Sequence, residues 1–390
     1  MKLFLYKQYI KLNNFICNLF PVEDWRNKDV LKKYNVQMLK ASFSYTLKGV
    51  NYHFNKKFVP DWLHILENEI KQPDVWFYNF DKAILIDKGV ILHKKNTVLL
   101  ESTFFQREYL NKLKIAKLLV INSITKPKDE LNNVIPLMNR LSNNYFHWTT
   151  ESLTRIALLD EKFPNLKENY TILINHDAPK FVEESLTQII KWPQDKIHRY
   201  TDKKISWVKN CIQISYPVVR NQNTQRYYAY PAYIFQTLSK LAEKNISKNN
   251  LDEQLPENFI ISRKKVGSRN LVNEDLLLNH FPTLNLKIVF LELLPFHQQV
   301  ALFNNAKLII APHGAGLTNL TYCKPDVIVY EIYPIGRNFN QTSSFYQISK
   351  SINIRYHLIM TPPINKNEEM MLDEELLEKI TELNKKYLLI

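Results

Sequence analysis

Residues 307–333 read KLIIAPHGAGLTNLTYCKPDVIVYEIY and place two apolar runs, LIIA and VIVYE, on either side of a polar loop and a helical stretch. Short apolar runs bounded by turn residues are typical of strands buried in a parallel sheet. A strand, a helix and a further strand form the unit from which such sheets are built. The segment therefore predicts an α/β fold.

The same alternation extends towards the N-terminus of this segment. NFIIS and LKIVFLE read as strands, and NEDLLLNHF and FHQQVALFNNA read as helices. The polar stretch Glu243 to Glu257 is the best linker candidate. Before it, the strand-like runs IAKLLVI, NYTILI and NCIQISY alternate with helical stretches at 145–160 and 179–191, which indicates another α/β domain.

Four parts are expected along the chain. The alternating stretch at 75–101 reads as strands joined by a turn at Asp87-Lys88-Gly89. We therefore expect a basic segment over 1–72, an α/β domain over 73–245, a second over 246–365 and a C-terminal helix over 366–390, with the charged amphipathic pattern at 368–389.

Composition is that of a globular protein with room for two domains. The chain has 390 residues, of which 45% are hydrophobic and 23% are charged. Cys17, Cys211 and Cys323 lie far apart and show no disulfide or zinc spacing, which favours a reducing compartment. The sequence shows no secretory signal and no apolar run of the roughly 18–20 residues that span a membrane, so a cytoplasmic protein is expected.

The net charge of +14 is concentrated near the N-terminus. Residues 1–57 hold 11 Lys and Arg against Glu23, Asp24 and Asp29. Between Leu3 and Leu19, apolar residues recur near helical spacing. This part of the segment can lie on an anionic membrane at the inner face, or pack as a terminal helix with a solvated basic face. Nucleic acid is not an expected partner, because no RNA-binding signature or zinc finger is recognisable.

Two of the six glycines, Gly314 and Gly316, lie in APHGAGLTN between a strand and a helix. Glycine permits positive φ and close backbone approach to a ligand, and unpaired N–H groups at Ala315 and beyond suit a diphosphate. An imidazole beside a phosphate, here His313, is chemically sensible. Asn319 can bind the same ligand or satisfy the helix. A tight turn without ligand is the alternative for the whole loop.

Three further residues are candidates for the same ligand. Arg263 and Arg269 follow the strand NFIIS and can clamp a diphosphate through planar guanidinium groups, unless they belong to a solvated basic loop. Glu331 ends VIVYE and can accept ribose hydroxyls, or be a surface glutamate. Asn273, followed by two acidic residues, looks like a structural N-cap.

A second concentrated signal is NYFHWTTE at 144–151. His147 and Glu151 are four residues apart and share a helix face. A carboxylate orients the imidazole and raises its basicity, which suits a general base. The alternative is a buried pair that only holds the helix.

Three blocks, NNYFHWTTESLTRIALL, ISRKKVGSRNLVNEDLL and LPFHQQVALFNNAKLIIAPHGAGLTNLTYCKPDVIVYEIYP, closely resemble glycosyltransferase family 61, whose bacterial members are often capsular polysaccharide biosynthesis proteins. The resemblance implies two Rossmann-like domains facing a central cleft (GT-B), inversion at the anomeric carbon and a UDP-sugar donor. It implies a glycan or lipid-linked glycan acceptor. It places His147 on the acceptor side, and Arg263, Arg269, His313, Gly314, Gly316, Asn319 and Glu331 around the donor. The chain departs from the family pattern at Thr149-Thr150, where apolar residues are expected.

No two aspartates are separated by a single residue, so the D-x-D metal clamp is absent from the sequence. We therefore expect no metal and no cofactor beyond the UDP-sugar, with arginines and backbone N–H groups meeting the charge of UDP. Two other functions remain open at this point. They are a non-catalytic nucleotide-sugar-binding scaffold and a pyruvyl-type transferase on the same fold.

Overall fold

The computed structural model describes residues 22–23, 36–45, 51–53, 70–72, 74–86, 88–93, 97–99, 102, 130–201, 205–220, 228–246, 255–336 and 343–388. The amphipathic part of the basic segment, residues 3–19, and the strand predicted at IAKLLVI lie outside these residues. None of the described helices combines the length and apolar composition that crossing a bilayer requires.

The strands are numbered in chain order. They are β1 Val22–Glu23, β2 Val36–Lys40, β3 Phe43–Tyr45, β4 Asn51–His53, β5 Ile70–Gln72, β6 Val75–Ile86, β7 Val90–His93, β8 Thr97–Leu99, β9 Glu130–Pro136, β10 Thr171–Asn175, β11 Ile197–Tyr200, β12 Ile205–Ile214, β13 Val219–Arg220, β14 Tyr228–Ala229, β15 Asn258–Ile261, β16 Lys287–Val289, β17 Leu308–Pro312, β18 Ile328–Pro334 and β19 Arg355–Thr361.

The helices fall into three kinds. The α-helices are Tyr145–His147, Thr154–Lys162, Leu166–Asn169, Lys180–Ser185, Ala232–Asn245, Glu274–His280, Phe296–Asn305, Ser343–Ile352 and Glu374–Leu388. The π-helical segments are Trp148–Leu153 and Leu186–Ile190. The 3-10 segments are Gln194–Lys196, Pro282–Leu284, Leu291–Leu293 and Ala315–Tyr322.

The chain divides into two compact units. Unit 1 comprises residues 1–42 and 73–217, and unit 2 comprises residues 43–72 and 218–390. The sequence instead places 218–245 with the first domain and 43–72 with the N-terminal segment. The helix Ala232–Asn245 belongs to unit 2 because Gln236 Nε2 donates to the carbonyl of Ser351 at 3.1 Å, and β4 belongs there because it pairs with β19.

Unit 2 is built on a parallel six-stranded sheet of order β16-β15-β17-β18-β19-β4. Every residue of β17 and β18 is buried, as expected for strands covered on both faces. The helix Glu374–Leu388 packs against this core through Leu376, Leu377 and Ile380. The C-terminal helix is therefore part of unit 2 and not a separate part of the chain.

Unit 1 contains a nine-stranded sheet that is mixed, not purely parallel. Its path is β1-β8-β7-β6-β12-β9-β10-β11, with β2 also paired to β6. The strands β12, β9, β10 and β11 run parallel, whereas β6 pairs antiparallel with β12, β7 and β2. The turn predicted at Lys88-Gly89 is confirmed, because Ile86 pairs with Val90 across it.

Three local predictions differ from the structure. The helix predicted at GLTNLTY is a 3-10 helix, in which Asn319 Nδ2 donates to the Gly316 carbonyl that an α-helix would use for its own ladder. The strand predicted at LKIVFLE ends at Val289. The last helix begins at Glu374 and not at 368, because Glu368 has a left-handed φ of 58°.

Candidate active site

Arg263 and the loop His313–Gly316, which are among the donor-side candidates, lie at one edge of the unit 2 sheet. The strands are parallel, but the order in which the chain adds them reverses between β15 and β17. From β15 the chain goes to β16 on one side, and the later strands β17, β18 and β19 lie on the other side. Ligands of open α/β sheets bind beyond the carboxyl ends of strands at such a reversal. Arg263 follows β15 and the loop His313–Gly316 follows β17, so both lie where this rule places a ligand.

Gly314 makes room for a guanidinium group. A Cβ built on Gly314 would stand 2.1 Å from Nη1 and 3.0 Å from Cζ of Arg263. The backbone of Gly314 has a φ of 174°, which is ordinary extended geometry. The expectation that this glycine serves a positive φ is therefore wrong, and close packing of Arg263 on the loop is the reason for glycine here.

Both predicted arginines are attached to this loop region. Arg263 Nε donates to the carbonyl of Ser268 at 3.0 Å. Arg269 Nη1 donates to the carbonyl of His313 at 3.0 Å, and its backbone adopts a left-handed φ of 57°. Each side chain is half-buried and tethered through the backbone, so the two guanidinium groups are held beside the glycine loop instead of extending into solvent.

The loop also exposes backbone donors. The first backbone bond of the 3-10 helix runs from Leu317 N–H to the Gly314 carbonyl at 3.0 Å. The N–H groups of Ala315 and Gly316 have no hydrogen-bond partner among the described residues, as expected at the start of a helix. Together with the two arginines, these groups form an anion-binding arrangement.

His313 is fixed by a buried carboxylate. Its Nδ1 lies 2.5 Å from Glu331 Oε1, and Tyr356 donates its hydroxyl to Glu331 Oε2. The rings of Tyr333 and Phe345 pack against the imidazole at centroid distances of 4.9 and 5.3 Å. Because burial and the Glu331 charge raise the pKa of Tyr356 well above its ordinary value, the phenol stays a hydrogen-bond donor.

Two of the predicted ligand contacts are not supported by this geometry. Glu331 lies in the middle of β18 and is completely buried, with both carboxylate oxygens bound within the protein, so its predicted place at a strand end is wrong. Asn319 is also fully buried, and its Nδ2 donates to Gln299 Oε1 and to the Gly316 carbonyl. Asn273 occupies the predicted N-cap position, but its side chain makes no capping hydrogen bond and pairs instead with the backbone of Leu372. Glu331 and Asn319 therefore support the loop from within.

The acceptor-side candidates lie on an irregular helix in unit 1. The α-helix Tyr145–His147 continues as a π-helical segment, Trp148–Leu153, before regular α-helix resumes. Segments of π-helix occur frequently at functional sites. Asn144 caps the first turn by accepting hydrogen bonds from the N–H groups of Phe146 and His147 at 3.0 and 3.3 Å. The cap fixes the position of the histidine backbone.

His147 and Glu151 form the predicted pair. The Nδ1 atom of His147 lies 2.7 Å from Glu151 Oε1, with side-chain exposures of 24% and 0%. Burial alone would lower the pKa of His147, but the charge and hydrogen bond of Glu151 outweigh it and raise the pKa above the ordinary value. Burial raises the pKa of Glu151, against the opposing effects of His147 and Arg155. The pair has the geometry of a carboxylate-oriented base.

A buried cluster that the sequence did not reveal supports this pair. Arg155 packs over the ring of Tyr216 at 4.0 Å from its centroid, and Asn139 Nδ2 donates to the Tyr216 hydroxyl at 3.3 Å. Asn139 and Tyr216 follow the neighbouring parallel strands β9 and β12. His147 therefore lies on a helix whose inner face is anchored at the carboxyl edge of the unit 1 sheet.

Comparison with known proteins finds a family model that matches part of the chain. Residues 145–330 match the model of the family described as Glycosyltransferase 61, and this range contains every predicted site residue except Glu331. The comparisons support glycosyltransferase family 61. The chain is also 24% identical over 227 residues to a protein of Oryza sativa subsp. japonica named beta-1,2-xylosyltransferase XAX1. The match covers 55% of this chain and 39% of the length of that relative.

Both comparisons are with glycosyltransferases. The family 61 range begins at Tyr145 and ends at Tyr330, so it includes both the His147 pair and the glycine loop. Among the described residues, no group of three or more His, Cys, Asp or Glu side chains is arranged to hold a metal ion. The expectation of metal-independent chemistry stays a prediction.

Proposed function

We propose that the chain is an inverting, metal-independent glycosyltransferase that moves a sugar from a UDP-sugar to a hydroxyl group of a glycan. The observation that carries the proposal is the 2.7 Å pair of His147 and the buried Glu151 within the family 61 range. A protein that only bound a nucleotide sugar would need the glycine loop but not an oriented base.

The proposed reaction is a single displacement. His147 takes the proton of the acceptor hydroxyl on Nε2, since Nδ1 faces Glu151. The acceptor oxygen attacks the anomeric carbon from the face opposite UDP, while the bond between that carbon and the phosphate oxygen breaks and its electron pair leaves with UDP. Attack from the opposite face inverts the anomeric configuration. The imidazolium that forms is stabilised by the Glu151 carboxylate.

On the donor side, unit 2 supplies the charge that a leaving diphosphate requires. We assign Arg263, Arg269 and the N–H groups of Ala315 and Gly316 to the diphosphate, because they gather at the strand-order reversal. Such preorganised donors stabilise developing charge without reorganisation. We assign the base to unit 1 and the donor groups to unit 2, which is the division of roles proposed for a GT-B-like enzyme.

The process and the partners follow from the family resemblance. We propose synthesis of a capsule or another surface polysaccharide at the inner face of a membrane, with a glycan or lipid-linked glycan as acceptor. The +14 net charge is compatible with peripheral contact to an anionic membrane. The nucleotide-sugar donor and glycan acceptor are those that a family 61 enzyme requires.

Release of UDP in the presence of EDTA tests the proposal. The purified chain is incubated with UDP-sugars, including UDP-xylose because the rice relative is named a xylosyltransferase. We expect slow UDP release from at least one donor, undiminished by EDTA. If the chain binds UDP but releases none from any UDP-sugar, a scaffold is favoured. If phosphoenolpyruvate competes for the donor site and UDP does not, pyruvyl transfer is favoured. Strict dependence on added metal would contradict the donor-site assignment.

The pH dependence of kcat/KM tests the role of Glu151. The base form of His147 is the active one, so activity falls as pH drops through the pKa of His147, which Glu151 raises above the ordinary value. Glu151→Gln removes that charge while burial remains, so the acidic limb should move to lower pH and the plateau should fall. The exposed Glu161→Gln on the same helical stretch is the matched control. A limb that stays in place in Glu151→Gln would exclude this coupling.

A further inference from the structure

Arg155 is a cation enclosed in the protein interior. Its side chain is 1% exposed and lies one helical turn beyond Glu151. Nε donates to the backbone carbonyl of Glu151 at 3.0 Å, and Nη1 donates to the carbonyl of Ile214 at 3.3 Å. In the described part of the chain, Nη2 has no hydrogen-bond partner. Burying an arginine without all of its hydrogen bonds lowers the stability of the folded state, unless a nearby opposite charge offsets that cost.

The compensating charge is the carboxylate of Glu151, one turn away. Glu151 is 0% exposed, and its Oε2 has no hydrogen-bond partner in the described part of the chain. Among the described residues, the titratable groups that interact here are the imidazole of His147, the Glu151 carboxylate, the Arg155 guanidinium and the phenol of Tyr216. Arg155 and Glu151 thus form a through-space pair of opposite charges.

The charge of this cluster differs between the two states of the base. When His147 is neutral, Glu151 and Arg155 balance each other. When His147 carries a proton, the cluster has a net charge of +1. Without Arg155, the base form would leave an isolated carboxylate in the interior, which is the costlier situation. Arg155 therefore favours the deprotonated, active state.

We propose that Arg155 is a positioning residue that balances the buried charge of Glu151 while His147 is in its base form. The inference rests on the proposed function, since it concerns the base of the transfer. However, proton binding by the cluster is a property of the free protein and can be measured without donor or acceptor. Glu151 and Arg155 act on His147 in opposite directions, and this opposition provides the test.

An NMR titration of the His147 ring in the full chain tests the proposal, with the signal assigned by its absence in His147→Ala. In Arg155→Met the midpoint of the cluster should move to higher pH by about one unit or more, the size expected for losing a nearby charge. Arg155→Lys keeps the charge and should titrate near the wild type. A midpoint that is unchanged or lower in Arg155→Met overturns the proposal.

A second pair of variants covers the case in which Arg155→Met does not fold. Glu151→Gln leaves the positive charge of Arg155 without a balancing carboxylate when His147 is protonated, whereas the double variant Glu151→Gln/Arg155→Met removes both charges. Replacing both members of a buried ion pair is often tolerated. The double variant should titrate at higher pH than Glu151→Gln alone. Equal midpoints would overturn the proposal, because Arg155 would then have no electrostatic effect on His147.

The titration separates this inference from the proposed function. A shifted midpoint in a chain that transfers no sugar would leave the charge balance standing and remove the transferase. Sugar transfer with the predicted loss in His147→Ala, but no shift in Arg155→Met, would leave the transferase standing. A purely structural Arg155 would lower activity equally at every pH without moving the midpoint.

Discussion

His147→Ala is expected to lower kcat by roughly 10²- to 10⁴-fold, the usual range for loss of a general base. The substitution removes the group that takes the acceptor proton, while the glycine loop and both arginines of unit 2 are untouched. The Kd for UDP should therefore stay at the wild-type value. Initial rates at saturating donor and acceptor, together with calorimetry of UDP binding, check both halves of this prediction.

A matched control is available in the same unit. His198 lies on β11 and is exposed. Its Nε2 lies 3.1 Å from the backbone carbonyl oxygen of Asp195. His198→Ala should leave kcat within a factor of about two, since exposed substitutions have small effects. If His147→Ala turns over at nearly the wild-type rate, His147 is not the base, regardless of the kcat measured for His198→Ala.

Arg263→Ala is expected to weaken UDP binding by roughly 10- to 100-fold, the equivalent of about 1.5–3 kcal/mol for hydrogen bonds to a charged group. The guanidinium lies directly on the glycine loop, where the diphosphate is assigned. Calorimetric titration with UDP measures the change. Arg355→Ala removes an equally cationic side chain at the amino end of β19, at the opposite edge of the parallel sheet, and should not alter UDP affinity.

Gly314→Ala extends this prediction to the loop itself. The added Cβ would stand 2.1 Å from Arg263 Nη1, so the guanidinium must move and UDP affinity should fall. In an Arg263→Ala background the same change has no guanidinium to displace. The double variant should therefore bind UDP about as well as Arg263→Ala alone. Additive losses would show that Gly314 acts on the ligand independently of Arg263.

The sequence predicted the strand–helix alternation of unit 2 because its apolar runs are short and bounded by turns. It predicted the His147–Glu151 pair because four-residue spacing on a helix is a local property. In the structure, His147 Nδ1 lies 2.7 Å from Glu151 Oε1. The loop at Gly314 was predicted at the right place, but the positive φ expected for Gly314 was wrong. The space that Arg263 requires there was not foreseen, because Arg263 lies 51 positions earlier in the chain.

The features that the sequence did not reveal depend on distant partners. Glu331 looked like a strand-end ligand because Tyr356, which binds its second oxygen, lies 25 residues later on another strand. Arg155 was not among the candidate residues, since its partner Tyr216 comes from the end of β12. The pairing of β4 with β19 joins segments about 300 residues apart, which no local pattern indicates.

We propose that His147 removes the acceptor proton and that Arg263 and the loop His313–Gly316 hold the donor. The most direct test measures UDP affinity and UDP release in parallel, in the presence of EDTA. It compares the wild type with His147→Ala and Arg263→Ala. We predict that His147→Ala binds UDP normally but releases almost none from the UDP-sugar, whereas Arg263→Ala loses affinity for UDP. Loss of UDP affinity in His147→Ala, or wild-type affinity in Arg263→Ala, would contradict the account.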